Sequence, residues 1–281
     1  MRIRFWGVRG TIPSPGPHTI KYGGNTSCVE VYTSDKQLII LDAGSGIRHL
    51  GKHLIENQQG RIIGNILISH THWDHIQGFP FFAPIFGRNN RFVLVGKKRV
   101  GEQLVDTLAG QFTEPYLPFA YKSLPADLIV KEVKDGETLI IGDATKVTIA
   151  DLNHPGGCLG FRIENNGVSF VYASDISHHK DSFDEPLLKL AQGADLLVHD
   201  SHFASLDEKQ RFIEYGHSSW LEAAQAAIEA GVKNLALFHY APDLADDELE
   251  DILAKARKVF PGTILAQEGL TINLPLTQIP A

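Results

Sequence analysis

The chain has 281 residues of mixed globular composition and a formal net charge of −7. That length suits one large layered-sheet domain, residues 1–281, as well as two small ones. The acidic excess implies no general affinity for long nucleic acid, and the absence of any run of about 18 apolar residues excludes a membrane-spanning helix. Met1-Arg2-Ile3-Arg4-Phe5-Trp6-Gly7 reads as an edge strand, because it lacks the continuous apolar core of a secretory signal. The two cysteines, Cys28 and Cys158, form no CxxC pair. Buried free thiols in a reducing cytoplasm are the expectation.

In chain order, a first strand over 1–9 meets a loop, Gly10 to Asn25, stiff with Pro13, Pro15 and Pro17 and rich in glycine. Its length suggests a lip over a site. Cys28–Tyr32 and Leu38–Leu41 read as strands, the second ending in Asp42-Ala43-Gly44-Ser45-Gly46. Ile47, Leu50, Leu54 and Ile55 carry helical spacing. On that helix His49 and His53 stand four apart and read as a solvated pair. Strand Ile66–Ile68 leads into Ser69-His70-Thr71-His72-Trp73-Asp74-His75. The aromatic run Gly78–Pro84 reads as core packing, 92–95 as a strand and Val100–Leu108 as a helix. Gln111–Tyr121, aromatic and proline-bearing, reads as a flap or a partner-contact surface. Asp135-Gly136 is a turn between short strands.

The remaining strands repeat one design. Val147–Ala150 leads to Asn153-His154, Val168–Tyr172 to Ala173-Ser174-Asp175, Leu196–Val198 to His199-Asp200, and Leu235–Phe238 to His239. Each apolar strand places a ligand-type residue at or just beyond its carboxyl end, where a rigid sheet can fix it. Ser219 and Glu222 form a capping box for a helix over 219–230, with Gly231 as its stop. Asp246–Phe260 reads as an amphipathic helix and Ile264–Leu274 as a closing strand. His178-His179 reads as a solvated loop.

The heptapeptide at 69–75 puts three imidazoles and a carboxylate into six residues. Imidazole nitrogens and carboxylate oxygens are ligands for zinc and similar ions. His70 and His72 alternate to one side, while Asp74 and His75 turn toward a second point. With His154, Asp175 and His239 the set is five imidazoles and two carboxylates, the complement of two ions.

This pattern, His70-x-His72-x-Asp74-His75 with later His154, Asp175 and His239, resembles the metallo-β-lactamase-fold hydrolases. The resemblance implies a four-layer αββα sandwich. It implies that His70, His72 and His154 hold one metal, that Asp74, His75 and His239 hold a second, and that Asp175 bridges them. Asp42 would brace the metal loop without binding metal. The superfamily's di-iron redox members usually carry glutamate where this chain has His72, and its lactamases commonly carry cysteine where it has Asp175. A dinuclear hydrolase using zinc, with manganese as the alternative, is therefore implied.

Gly216-His217-Ser218-Ser219 resembles the extra histidine motif of the phosphodiesterase branch, seen in ribonuclease Z and in cyclic phosphodiesterases akin to the phosphonate-pathway enzyme. Phe5–Gly10 and Gly23–Ser27 resemble the same branch. The helix start after His217 would offer free N–H groups to an anion. The resemblance implies that a water deprotonated between the metals attacks a phosphodiester, with Asp74 orienting it and His217 helping the leaving group. About 78 residues separate His75 from His154, and they read as ordinary strands and helices, not as a long RNA-gripping arm. The expected substrate is therefore a small cyclic nucleotide or a ribose cyclic phosphate. Ribonuclease Z-like cleavage, a lactonase or thioesterase on the same scaffold, and a non-catalytic sensor are the alternatives. A homodimer is expected by analogy alone.

Overall fold

The computed structural model describes residues 1–276. Fourteen strands form two sheets of seven. The strands are β1 (Arg2–Gly7), β2 (Cys28–Tyr32), β3 (Leu38–Leu41), β4 (Ile63–Leu67), β5 (Arg91–Lys97), β6 (Asp127–Val133), β7 (Thr138–Ile141), β8 (Thr145–Leu152), β9 (Cys158–Asn165), β10 (Val168–Ala173), β11 (Leu196–Asp200), β12 (Leu235–Phe238), β13 (Thr263–Leu265) and β14 (Thr271–Asn273). The first sheet runs β14-β1-β2-β3-β4-β5-β6 and the second β13-β12-β11-β10-β9-β8-β7. In each, one half is parallel (β3 to β6; β10 to β13) and the other antiparallel.

The two sheets face each other across a shared core. Ile3, Phe5, Val29, Val31, Ile39 and Leu41 of the first meet Val147, Ile149, Phe161, Ile163, Phe170 and Tyr172 of the second. Strand alternation sends Leu38 and Ile40 to the opposite face. There they join Ile47, Leu50 and Leu54 of α1 (Ile47–Asn57), together with Phe79 and Phe82. All four residues of β3 are consequently buried. This is why that strand reads as continuous hydrophobics and not as an alternating pattern.

The other helices are α2 (Trp73–Ile76), α3 (Leu104–Gly110), α4 (Glu185–Ala191), α5 (Leu206–Arg211), α6 (Trp220–Glu229) and α7 (Asp246–Val259). Helices α4, α6 and α7 cover the second sheet. The layers are therefore α, β, β, α, as the sequence implies. Among the described residues no helix is long and apolar enough to cross a membrane.

Two sequence expectations change. The closing strand at 264–274 is two strands in different sheets, β13 and β14, because the chain turns at Gly269 with φ of 85°. The helix expected at 100–108 starts only at Leu104, after Gly101 with φ of 81°, and its first N–H is taken by Glu132 Oε1 at 2.8 Å. The segment 111–121, expected as a flap or a partner-contact surface, is anchored at its start and otherwise largely exposed. Phe112 is buried, with its ring 5.8 Å from Phe79 and 6.0 Å from Phe119.

Both cysteines are buried and free. His49 is exposed, and His53 rests 5.1 Å from the ring of Trp6. Of the run Gly78–Pro84, Phe79, Pro80, Phe82 and Pro84 are core, while Phe81 is exposed.

Candidate metal centre

The strand ends converge on one rim. Strands β3, β4, β8, β10, β11 and β12 each deliver a polar residue just at or past their carboxyl ends: Asp42, the 69–75 loop, His154, Asp175, Asp200 and His239. The N–H of Leu159 donates to Ser69 O at 2.8 Å, which ties the second sheet to the metal loop.

The seven expected ligands come together. His70, His72 and His154 place their nitrogens within 4.8 Å of one another, and so do the ligand atoms of Asp74, His75 and His239. Asp175 lies between the groups: one of its oxygens is 3.1 Å from His75 Nε2, and the other is 3.3 Å from His239 Nε2 and 3.9 Å from His70 Nε2.

The hydrogen bonds behind these rings fix what faces inward. Ser69 Oγ donates to Asp42 Oδ2 at 2.9 Å, so it accepts from His70 Nδ1 at 3.1 Å. His154 Nδ1 donates to Gly216 O at 2.9 Å. Both histidines therefore turn a lone pair inward from Nε2. His154 Nε2 stands 3.2 Å from His72 Nδ1. Burial lowers the pKa of His70, His72 and His154, which keeps these rings neutral.

The second group differs in charge. Burial pushes the pKa of His75 down, but Asp175, Asp74 and Asp42 outweigh it and raise it well above the ordinary value. His239 is raised in the same way, by Asp175 and Asp74 against burial. Asp175 is buried too, yet His239, His75 and His70 hold its carboxyl well below the usual range. This half of the site calls for positive charge.

Among the donor residues, His70 Nε2 is buried without a hydrogen-bond partner. An orphaned buried polar atom costs about 1–3 kcal/mol. Neutral imidazoles facing each other, two carboxylates and an orphaned inward nitrogen on His70 are a donor set that fits divalent ions of the zinc or manganese type.

The frame around the donors is built for them. Asp42 accepts from Ser69 N at 2.7 Å and from Tyr172 OH at 2.8 Å, and it holds His75 Nδ1 at 2.8 Å. Asp42 and His239 both adopt φ near +60°. Such backbone costs about 1–3 kcal/mol and persists where surrounding structure enforces it. The 10–25 loop reaches the site at its root: Thr11 N donates to Asp74 Oδ2 at 2.8 Å. A Cβ on Gly10 would come within 2.4 Å of the His239 ring. Only glycine leaves room for that imidazole. The buried Arg9 anchors the loop by donating to Gly23 O at 2.9 Å and to Leu244 O.

His217 stands beside the centre. Its Nδ1 is 2.7 Å from Asp200 Oδ2 and 3.8 Å from Asp175 Oδ1. The left-handed Gly216 that precedes it has φ of 79° and brings its carbonyl onto His154. The expected anion seat at the start of α6 is taken, however. Ser219 N donates to Glu222 Oε2 at 2.9 Å, Glu222 N to Ser219 Oγ at 3.3 Å, and Trp220 N to Phe203 O at 3.4 Å. The capping box that marks the helix in the sequence uses the N–H groups an anion would need.

Two residues go beyond the sequence reading. Asp200, which the sequence marks only as a ligand-type residue at a strand end, is the direct partner of His217. His202 was not singled out. Its ring stacks on His217 at 4.4 Å, and its backbone N–H donates to Asp200 Oδ1 at 2.9 Å. Burial, His217 and His239 push its pKa down to about 3. The signal was present: His202 sits two residues past the end of β11, as Asp175 sits two past β10. His178, expected in a solvated loop, is buried instead, with Nε2 3.1 Å from His199 Nε2.

The comparisons agree with this geometry. A model of the Beta-lactamase superfamily domain matches residues 37–240. The chain belongs to that superfamily, and its fold is the metallo-β-lactamase fold. A ribonuclease Z of Synechococcus sp. (strain CC9311) is 27% identical, with 98% of this chain and 99% of the relative covered. That alignment runs over 332 positions, so the relative holds residues with no counterpart here. Among solved structures, the metallo-beta-lactamase fold protein YhfI from Bacillus subtilis matches with TM-score 0.72 and 21% identity over 96% of this chain and 98% of its own. A diphosphatase from the PhnP family matches with TM-score 0.71 and 18% identity, over 98% of each chain.

Proposed function

We propose that the protein is a dinuclear-metal phosphodiesterase acting on a small cyclic nucleotide or a ribose cyclic phosphate. His70, His72 and His154 would hold one ion and Asp74, His75 and His239 the other, with Asp175 between the two groups. Zinc fits the imidazole-rich donor set best, with manganese as the alternative. Ions held there supply Lewis-acid charge to a phosphoryl oxygen and lower the pKa of a bound water. The chain's own residues do the rest. Asp74, fixed by Thr11 N and His239 Nε2, orients the attacking water and takes its proton. His217 donates Nδ1–H to Asp200; as the imidazolium it also carries Nε2–H, and that proton passes to the departing ribose oxygen, leaving the ring neutral.

The observation that carries this reading is His217, a buried imidazole beside both donor groups and clamped by its own carboxylate. A thioester, whose thiolate leaves readily, needs no such acid. The missing anion seat leaves the preference for phosphate on this side chain alone.

Endoribonuclease action is the second reading, favoured by the curated relatives named ribonuclease Z. The shorter chain argues for the small substrate. The residues between His75 and His154 are strands, helices and core-packed rings, with no projecting arm among them. Parallel assays with zinc and with manganese decide the class: bis-p-nitrophenyl phosphate, 2′,3′- and 3′,5′-cyclic nucleotides, a precursor transfer RNA and acyl lactones. Cleavage of the small phosphodiesters is expected. Turnover of lactones alone contradicts the proposal.

A further inference from the structure

His202 belongs to neither donor group and has no part in the proposed reaction, yet it touches what surrounds the acid. Its backbone N–H donates to Asp200 Oδ1 at 2.9 Å, on the carboxylate whose other oxygen is 2.7 Å from His217 Nδ1. Its ring Nδ1–H donates to the carbonyl of His239 at 3.2 Å, because a carbonyl can only accept. Its ring packs on His217 with centroids 4.4 Å apart and planes at 21°. Phe203 meets the His202 ring nearly at right angles, 5.1 Å away.

The bond to Asp200 leaves His217 one freedom. It fixes the place of Nδ1 but not the plane of the ring, and the plane decides where Nε2 points. A near-parallel ring packed on its face removes that freedom. The packed ring is itself tied to the backbone of His239, a residue of the second donor group. The orientation of the acid is therefore referred to the metal centre through His202. His202 is not placed to act as the acid itself: its Nδ1–H is taken by His239 O, and its Nε2 carries a lone pair.

We propose that His202 is a positioning residue, which sets the ring plane of His217 and so aims Nε2–H at the departing oxygen. The proposal rests on the phosphodiesterase reading, with His217 as its acid.

Leaving groups separate this role from a structural one. A ribose oxygen leaves as an alkoxide and needs a proton, whereas p-nitrophenolate is stable as an anion and does not. Metal-loaded wild type, His202→Gln, His202→Ala, His202→Phe and His217→Ala are compared on a 2′,3′-cyclic nucleotide and on bis-p-nitrophenyl phosphate. His202→Gln keeps a donor for His239 O but has no ring, and His202→Ala has neither. Both are expected to lower kcat on the cyclic nucleotide about tenfold or more, with KM unchanged and bis-p-nitrophenyl phosphate turned over as by wild type. His202→Phe, which restores a flat face without the hydrogen bond, is expected to recover most of the loss. An equal fall on both substrates, or no fall on either, overturns the proposal. So does loss of metal from His202→Gln by elemental analysis, since the residue would then act through His239. Adding His202→Gln to His217→Ala is expected to cost nothing further, because the two act as a unit; an additive loss overturns the proposal. If His217→Ala itself falls equally on both substrates, the acid reading fails and His202 loses its role with it. If His217→Ala is selective for the cyclic nucleotide and His202→Gln is not, the positioning role fails alone.

Discussion

A buried imidazole pair behaves as one neutral unit. His178 Nδ1 accepts from Asp184 N at 3.2 Å, so its Nε2–H donates to His199 Nε2 at 3.1 Å. His199 Nδ1 in turn donates to Asp200 O at 2.7 Å. No nitrogen is left to take a proton. Burial, then His199, pushes the pKa of His178 down to about 2, from 6.5. The sign follows: below pH 6.5 the unfolded chain binds a proton that the native state refuses until about pH 2, so stability falls as pH drops through that window. The contribution is about 1.4 kcal/mol per pH unit for such a group. Urea unfolding between pH 7 and 4.5 is expected to show a shallower decline in His178→Gln than in wild type. Equal slopes would contradict the neutral pair. His217, a buried imidazole with a carboxylate partner, carries the proposed acid role. His217→Ala is expected to lower phosphodiester turnover about 100-fold or more with metal content unchanged. Near-normal turnover would remove its role as acid.

The strand ends are the elements that make the site, and most of them could be read in advance. An apolar run followed at once by His or Asp is a local pattern, so His70, His154, Asp175 and His239 were legible one strand at a time. What surrounds a residue is not local. His178 looked solvated because nothing in the chain near it announces His199. The closing strand was misread because 264–274 is apolar throughout its ends, while Gly269 divides it between two sheets. The 10–25 loop was legible as a lip but not in its use. Thr11 positions Asp74, and Gly10 yields space to His239. Gly10→Ala would drive a methyl group to 2.4 Å from that ring. The expected result is a protein that folds, by circular dichroism, yet binds its metals at least tenfold more weakly. Unchanged affinity would show that His239 tolerates displacement.

At the scale of the whole molecule, the two sheets meet where the donors meet. Leu159 N to Ser69 O, Tyr172 OH to Asp42, and the contacts of Asp175 with His75 and His70 all join one sheet to the other. Ions bound there act as clamps across the sandwich, since a ligand that binds only the native state stabilises it. Chelation should therefore lower the unfolding temperature as well as abolish turnover. The account stands most directly on metal stoichiometry, measured by elemental analysis of freshly purified, undialysed protein and of its Asp175→Ala variant. About two transition ions per wild-type chain are expected, with clear loss in the variant. A wild-type chain with none, or an Asp175→Ala chain that still holds both, would contradict it.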